Sequence, residues 1–174
     1  MHNHTRLVLT GGLVAGIVGY GTVVLVMAAM NVVLGRSPFY TAGLFGSVLF
    51  YDLRDPAALV ITAGPVLAYN MVHLVAFLGL GTIASWLVTL SERYPSAQYF
   101  VLVVLVFIAF HVYGAMMLFA QPLLGGSAWW EIGLGTAAAA LTMAAYLVLG
   151  HPFLRRELRE IPMGDVPPEI REVR

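Results

Sequence analysis

The chain has no cysteine among its 174 residues. That absence excludes disulfides, thiolate metal sites, iron–sulfur ligation and a cysteine nucleophile. Lysine is missing too, so all nine basic residues are arginine, a usage that fits GC-rich coding and a bacterial source. Charge of both signs is scarce. Only 10% of residues are Asp, Glu, Lys or Arg, against about 25% in a soluble globular domain. The formal net charge is zero and no long basic run occurs, so nucleic acid is not an expected partner. There is no phosphate loop, no serine in a nucleophile-elbow context, and no pair of carboxylates inside an apolar stretch. Catalysis by this chain alone is not expected.

What the chain does have is long apolar runs, with 60% hydrophobic residues. Four blocks, roughly 7–34, 57–90, 98–121 and 128–150, each reach the ~20 apolar residues a helix needs to cross a bilayer core. In hydrocarbon every backbone N–H and C=O must bond within its own segment, so these blocks read as helices. The expected fold is all-α: an integral membrane bundle of four transmembrane helices over residues 1–150, then a cytoplasmic tail over 151–174. The first block runs from Leu7 to Leu34. That is longer than the ~7–15 apolar residues of a secretory leader, so it reads as a retained span.

Charge sets the expected orientation. Four spans put both termini on one side, together with Arg6, Arg93, Arg155, Arg156, Arg159, Arg171 and Arg174, whereas Arg36 and Arg54 fall on the other. The excess makes the terminal side cytoplasmic by the positive-inside rule and the location the inner membrane. Trp129, Trp130, Tyr94 and Tyr99 flank spans, as interfacial aromatics do. Glu131 follows the tryptophans and is expected at the outer headgroup level.

Local motifs refine the picture. Gly12 and Gly16 form a small-xxx-small pair suited to close helix contact, and the alanine-rich fourth block, with Gly133 and Gly135, offers a second smooth face. Ser37-Pro38 reads as N-cap and first helical residue of a short helix over about 38–51, too short to span and therefore interfacial or re-entrant. It could act as a lid or simply pack. Asp55-Pro56 reads as a second helix start. A helix from Pro56 to Leu90 would be about 50 Å long at 1.5 Å per residue, so a bend is expected at Gly64-Pro65. The tail, with Pro162, Pro167 and Pro168, reads as extended beyond a short helical start at Arg155 to Glu160.

Ionisable groups inside a bilayer are candidates for function. Two fall well inside the blocks: His73 on the second and His111 on the third. Placed at similar depth on sequential antiparallel helices, they could be the two axial ligands of a b-type haem. Gly79, Gly81, Gly114 and Ala115 would leave room for the porphyrin. Thioether ligation of Cu(I) by Met27, Met30, Met71, Met116 and Met117 is a weaker possibility. So is a proton path through His73, His111, Tyr69, Asn70 and Tyr113. The plain alternative is that each imidazole is a packing residue bonded to a backbone carbonyl or a nearby polar group.

Small-residue faces, short loops and few polar core groups point first to an accessory or structural subunit of a larger membrane assembly, respiratory or otherwise engaged in electron transfer. Its partners would be lipid and other membrane subunits. A haem-binding electron carrier built on His73 and His111 is the second expectation, and a small transporter or channel the third.

Overall fold

The computed structural model describes residues 2–94, 98–124 and 128–150. The tail from His151 onward and the connections at 95–97 and 125–127 lie outside them. Among the described residues five α-helices follow one another: α1 (His2–Val33), α2 (Tyr40–Phe50), α3 (Ala63–Arg93), α4 (Gln98–Leu124) and α5 (Ala128–Gly150). Among the described residues there is no strand. Three helices are long and apolar enough to cross a membrane, over Val8–Val33, Ala63–Glu92 and Trp129–Gly150. Two shorter apolar helical stretches accompany them, Tyr40–Phe50 and Val103–Leu118.

The segment after α1 differs from its sequence reading in three ways. Ser37 does accept from the Phe39 amide at 3.3 Å, but what it caps is a turn: the Tyr40 amide closes on the Ser37 carbonyl at 2.9 Å, and α2 starts at Tyr40. Asp55 does cap, accepting from the Ala57 amide at 2.9 Å, but the helix it starts is a single 3-10 turn, Pro56–Ala58. No bend forms at Gly64-Pro65. The long helix begins at Ala63, after an extended Thr62. Pro65 therefore falls in the first turn, where its missing N–H has no intrahelical partner to lose.

α1 is the central helix, antiparallel to α3 on one side and to α5 on the other. Its seam with α3 is set by glycines. A Cβ on Gly12 would sit 2.5 Å from the Thr82 Cα, and one on Gly16 would sit 2.5 Å from the Phe77 carbonyl oxygen. Across the seam, a Cβ on Gly81 would run into the backbone of Gly12 and Gly16. The small-xxx-small pair thus packs within the bundle. The α1–α5 seam is closed by Gly135 against Val23 and Met27, and by the Thr142 hydroxyl donating to Thr22 Oγ1 at 3.0 Å. α4 leans mainly on α5 and touches α3 only slightly among the described residues. The sequential pair α3 and α4, which carries the two histidines, thus meets only in this small contact.

Two apolar cores result. Ala15, Val88 and Leu147 pack near the chain-terminal end. At the other end, Phe45 of α2 and Ile132 of α5 gather Met27, Tyr69, Tyr113, Met116, Met117 and Leu123. Met27, Met116 and Met117 are there as apolar neighbours of these two side chains, a usual role for methionine. α2 thus lies across the end of the bundle with Thr41 and Gly43 to Ser47 buried beneath it. Many of the large apolar side chains on the long helices point outward instead; Leu25, Met71, Phe110, Leu118 and Leu141 are all exposed. So extensive an apolar surface is what lipid contact requires.

The turn that launches α2 is specified by Gly35. Its φ of +71° ends α1 in the left-handed conformation. The Arg36 amide closes on the Asn31 carbonyl at 2.7 Å and the Gly35 amide on Val32 at 3.0 Å. This is the Schellman arrangement, and it throws the Arg36 side chain back over the bundle. Gly35→Ala is expected to destabilise the protein by about 1–2 kcal/mol, the cost of the left-handed region for a residue with a Cβ. Gly35→Asn should be much milder, since asparagine tolerates that region. Thermal unfolding of both variants in detergent checks the ranking, and equal midpoints for the Ala variant and the parent would refute it.

Candidate functional site

Besides the Thr22–Thr142 pair, three sets of polar side chains stand out among the described residues. The first caps the end where α2 lies. Glu131, in the first turn of α5, is fully buried at 0% exposure, enclosed by protein rather than open to solvent. Arg36 Nη1 donates to its two oxygens at 3.1 and 3.4 Å. The Arg36 guanidinium also lies 4.9 Å from the centre of the Tyr40 ring, a cation–π distance. One arginine therefore ties the end of α1 to the starts of α2 and α5. Beside it, buried Asn31 donates to Thr41 Oγ1 at 2.9 Å, and the Thr41 hydroxyl donates back to Asn31 Oδ1 at 3.1 Å. Sequence reasoning missed this network. The signal available was that Arg36 and Glu131 bracket the first and fourth blocks on the same side, with opposite charge.

The second set runs along the α1–α3 seam. Tyr69, His73 and Phe77 are four residues apart on α3 and so share a face. Their rings form a column: Tyr69 stacks on His73 at 5.0 Å and on Phe45 of α2 at 5.6 Å, and Phe77 meets His73 at 5.1 Å in a tilted contact. Tyr20 of α1 approaches His73 at 6.3 Å, and its hydroxyl donates to Asn70 Oδ1 at 2.8 Å. Asn70 in turn donates to the Val66 carbonyl at 2.7 Å.

The third is His111, exposed on α4. Its Nδ1 is 2.8 Å from the Phe107 carbonyl oxygen. A carbonyl can only accept, so Nδ1 carries the hydrogen, and in the neutral ring Nε2 is left with a bare lone pair. The Phe107 ring lies 3.8 Å away and that of Phe110 5.9 Å away, centre to centre. Two residues on, the Tyr113 hydroxyl donates to the Trp129 carbonyl at 3.0 Å and pins α4 to the start of α5.

The two histidines singled out in the sequence thus have different surroundings. His73 belongs to the α1–α3 seam and His111 to the outward face of α4, and no ring is a neighbour of both. Of the glycines expected to make room beside them, Gly81 is taken up by the α1 crossing, whereas Gly79 and Gly114 face open space. Among the described residues no three His, Asp or Glu side chains come together as a metal-ligating group. Only Ser85 Oγ among the described buried side-chain polar atoms has no bonding partner.

The fold and its polar sets define a membrane-embedded, all-helical protein whose apolar helix faces contact lipid. Compared with protein-family models, with curated proteins and with solved structures, the chain finds no match.

Proposed function

We propose that the chain is a four-span accessory subunit of a larger inner-membrane assembly, of the respiratory or another electron-transfer kind, with both termini cytoplasmic. α4 serves as the fourth span: its 27 residues reach about 40 Å at 1.5 Å per residue, enough for a core of about 30 Å. The arginine count on the terminal side supports the orientation. The observation that carries the subunit reading is how the interior polar groups are used. Arg36 with Glu131, Asn31 with Thr41, Tyr20 with Asn70, Thr22 with Thr142 and Tyr113 with Trp129 each join one helix to another. They are structural staples, engaged with each other rather than aimed at a shared internal space.

The test is extraction from native membranes in a mild detergent, followed by native-gel or light-scattering mass determination and identification of the chains present. The reading expects a defined complex well above the 18.8 kDa of one chain, with other membrane subunits in fixed ratio. A monomer, or an assembly of this chain alone, at native abundance would overturn it.

A second reading, a b-type haem carrier with His73 and His111 as axial ligands, is favoured by one observation: the His111 imidazole is held by its Nδ1–H, which is how axial and metal-bound histidines are oriented.

A further inference from the structure

We propose that the outward face of α4 is where this subunit docks in its assembly, and that the occupant is a spanning helix of another subunit with a hydrogen-bond donor opposite His111. The inference rests on the subunit reading, with α4 as a span, and adds the partner's chemistry. It starts from a lone pair. The bond from Nδ1–H to the Phe107 carbonyl fixes the imidazole and leaves Nε2 as an acceptor that no described residue of this chain satisfies. His111 is exposed within the apolar stretch Val103–Leu118, among the outward-facing Phe107, Phe110 and Leu118. An acceptor left empty in hydrocarbon is costly.

Depth narrows what can fill it. His111 is the middle residue of α4 (Gln98–Leu124), with thirteen residues on either side. Each end of the helix is therefore about 20 Å away at 1.5 Å per residue. Water and lipid headgroups lie beyond a short imidazole, which cannot snorkel as a lysine or arginine does. Acyl chains carry no donor. A second copy of this chain does not supply one either. A two-fold contact through this face would set Nε2 against Nε2, two acceptors with no hydrogen between them. A hydroxyl or amide on a neighbouring spanning helix meets the need, and bonds of that kind join helices in membranes. The surface admits such a helix. α4 leans mainly on α5 and only slightly on α3, which leaves this face open within the chain. Beside the imidazole, a Cβ on Gly114 would meet nothing within 4 Å and Ala115 is exposed. An approaching backbone meets little bulk there, and Phe107 and Leu118 supply apolar contact on either side.

The test is photo-crosslinking in native membranes, with a photoactivatable phenylalanine analogue in place of Phe110 or of Leu118, and adducts mapped by mass spectrometry. The expected adduct joins one stoichiometric subunit of the complex, inside a spanning helix and within one turn of a Ser, Thr, Asn, Gln, Tyr or Trp. His111→Leu should then weaken association with that subunit by about three- to tenfold, the range one interhelical hydrogen bond gives in a membrane. The readout is the fraction of the chain still bound on stepwise dilution in detergent. His111→Gln, which keeps an acceptor oxygen, should retain most of the affinity. Changing the mapped donor to alanine should match His111→Leu and add nothing to it. The isolated chain should melt alike in all its His111 forms, because the ring contacts of His111 lie on its own helix. A lower midpoint for His111→Leu would make it a packing residue and overturn the inference. Adducts with lipid alone, or with a second copy, while the complex keeps its native mass would also overturn it and leave the subunit reading standing. So would unchanged association in His111→Leu. Failure of the subunit reading shows separately, as a parent chain without any complex, and takes this inference with it.

Discussion

Arg36→Ala is expected to destabilise the protein by about 3 kcal/mol, near the lower end of what removing one partner of a buried ion pair costs. The reason is asymmetry. Glu131 is fully buried, whereas the Arg36 side chain retains 28% of its exposure. Taking the arginine away leaves a carboxylate enclosed in protein with no counter-charge, helped only by the positive end of α5. Taking the charge from Glu131 instead leaves an arginine that can still turn to solvent, so Glu131→Gln should cost much less, about 1 kcal/mol, the scale of one hydrogen bond. In the double variant Arg36→Ala with Glu131→Gln, no orphan charge remains, and much of the loss should return. Unfolding in detergent with increasing denaturant, or thermal melts, measures all three. The account fails if Glu131→Gln is the more damaging single change, or if the double variant is as unstable as the two singles added together. The same variants test whether α2 depends on this contact, because Arg36 also packs over Tyr40.

The second large effect lies at the α1–α3 seam. Gly81→Ala places a methyl group against the backbone of Gly12 and Gly16, which no rotamer change can move aside. The two helices must separate. Overpacking of this kind typically costs about 1–3 kcal/mol and sometimes more; about 3 kcal/mol is expected here, because a backbone obstacle cannot relax and the seam also carries the Tyr20–Asn70 bond. Gly81→Leu should prevent accumulation of folded protein. The control sits two residues away on the same helix. A Cβ on Gly79 meets nothing within 4 Å, so Gly79→Ala should be neutral or stabilising by up to about 1 kcal/mol through helix propensity. Parallel melts decide the matter. Similar effects at 79 and 81 would mean that the seam is not set by glycine contact.

The cap and the seam differ in how far they were legible beforehand. Gly12 and Gly16 announced a close-packed helix face by their spacing, and Asp55-Pro56 announced a cap, though of a single 3-10 turn and not of the long helix. Both signals are local, and both appear in the structure. Where local chemistry is ambiguous, sequence and structure part. Gly64-Pro65 was read as a bend inside one long helix, yet proline is equally at home in the first turn of a new one, and α3 starts at Ala63. Ser37 carries the chemistry of a cap, but its carbonyl closes a turn and the helix begins three residues later. Glu131 is a harder case. Its buried carboxylate is paired with Arg36, 95 residues away in the chain, and nothing near position 131 records that partner.

By itself, the sequence determined that this protein is helical, lives in a bilayer, and has its long apolar segments near α1, α3, α4 and α5. These are sums over neighbouring residues: enough consecutive apolar side chains demand lipid, and lipid demands internally bonded backbone. Tertiary structure alone decided which faces meet: that α1 is central, that α2 lies across one end with Phe45 inserted, that Glu131 is buried under Arg36, and that His73 turns inward while His111 turns out. In water, the polar face of a helix marks its outside. In a membrane, the lipid-facing and protein-facing sides are both apolar. The periodicity that would reveal the interior is lost, and only the shapes of packed helices restore it.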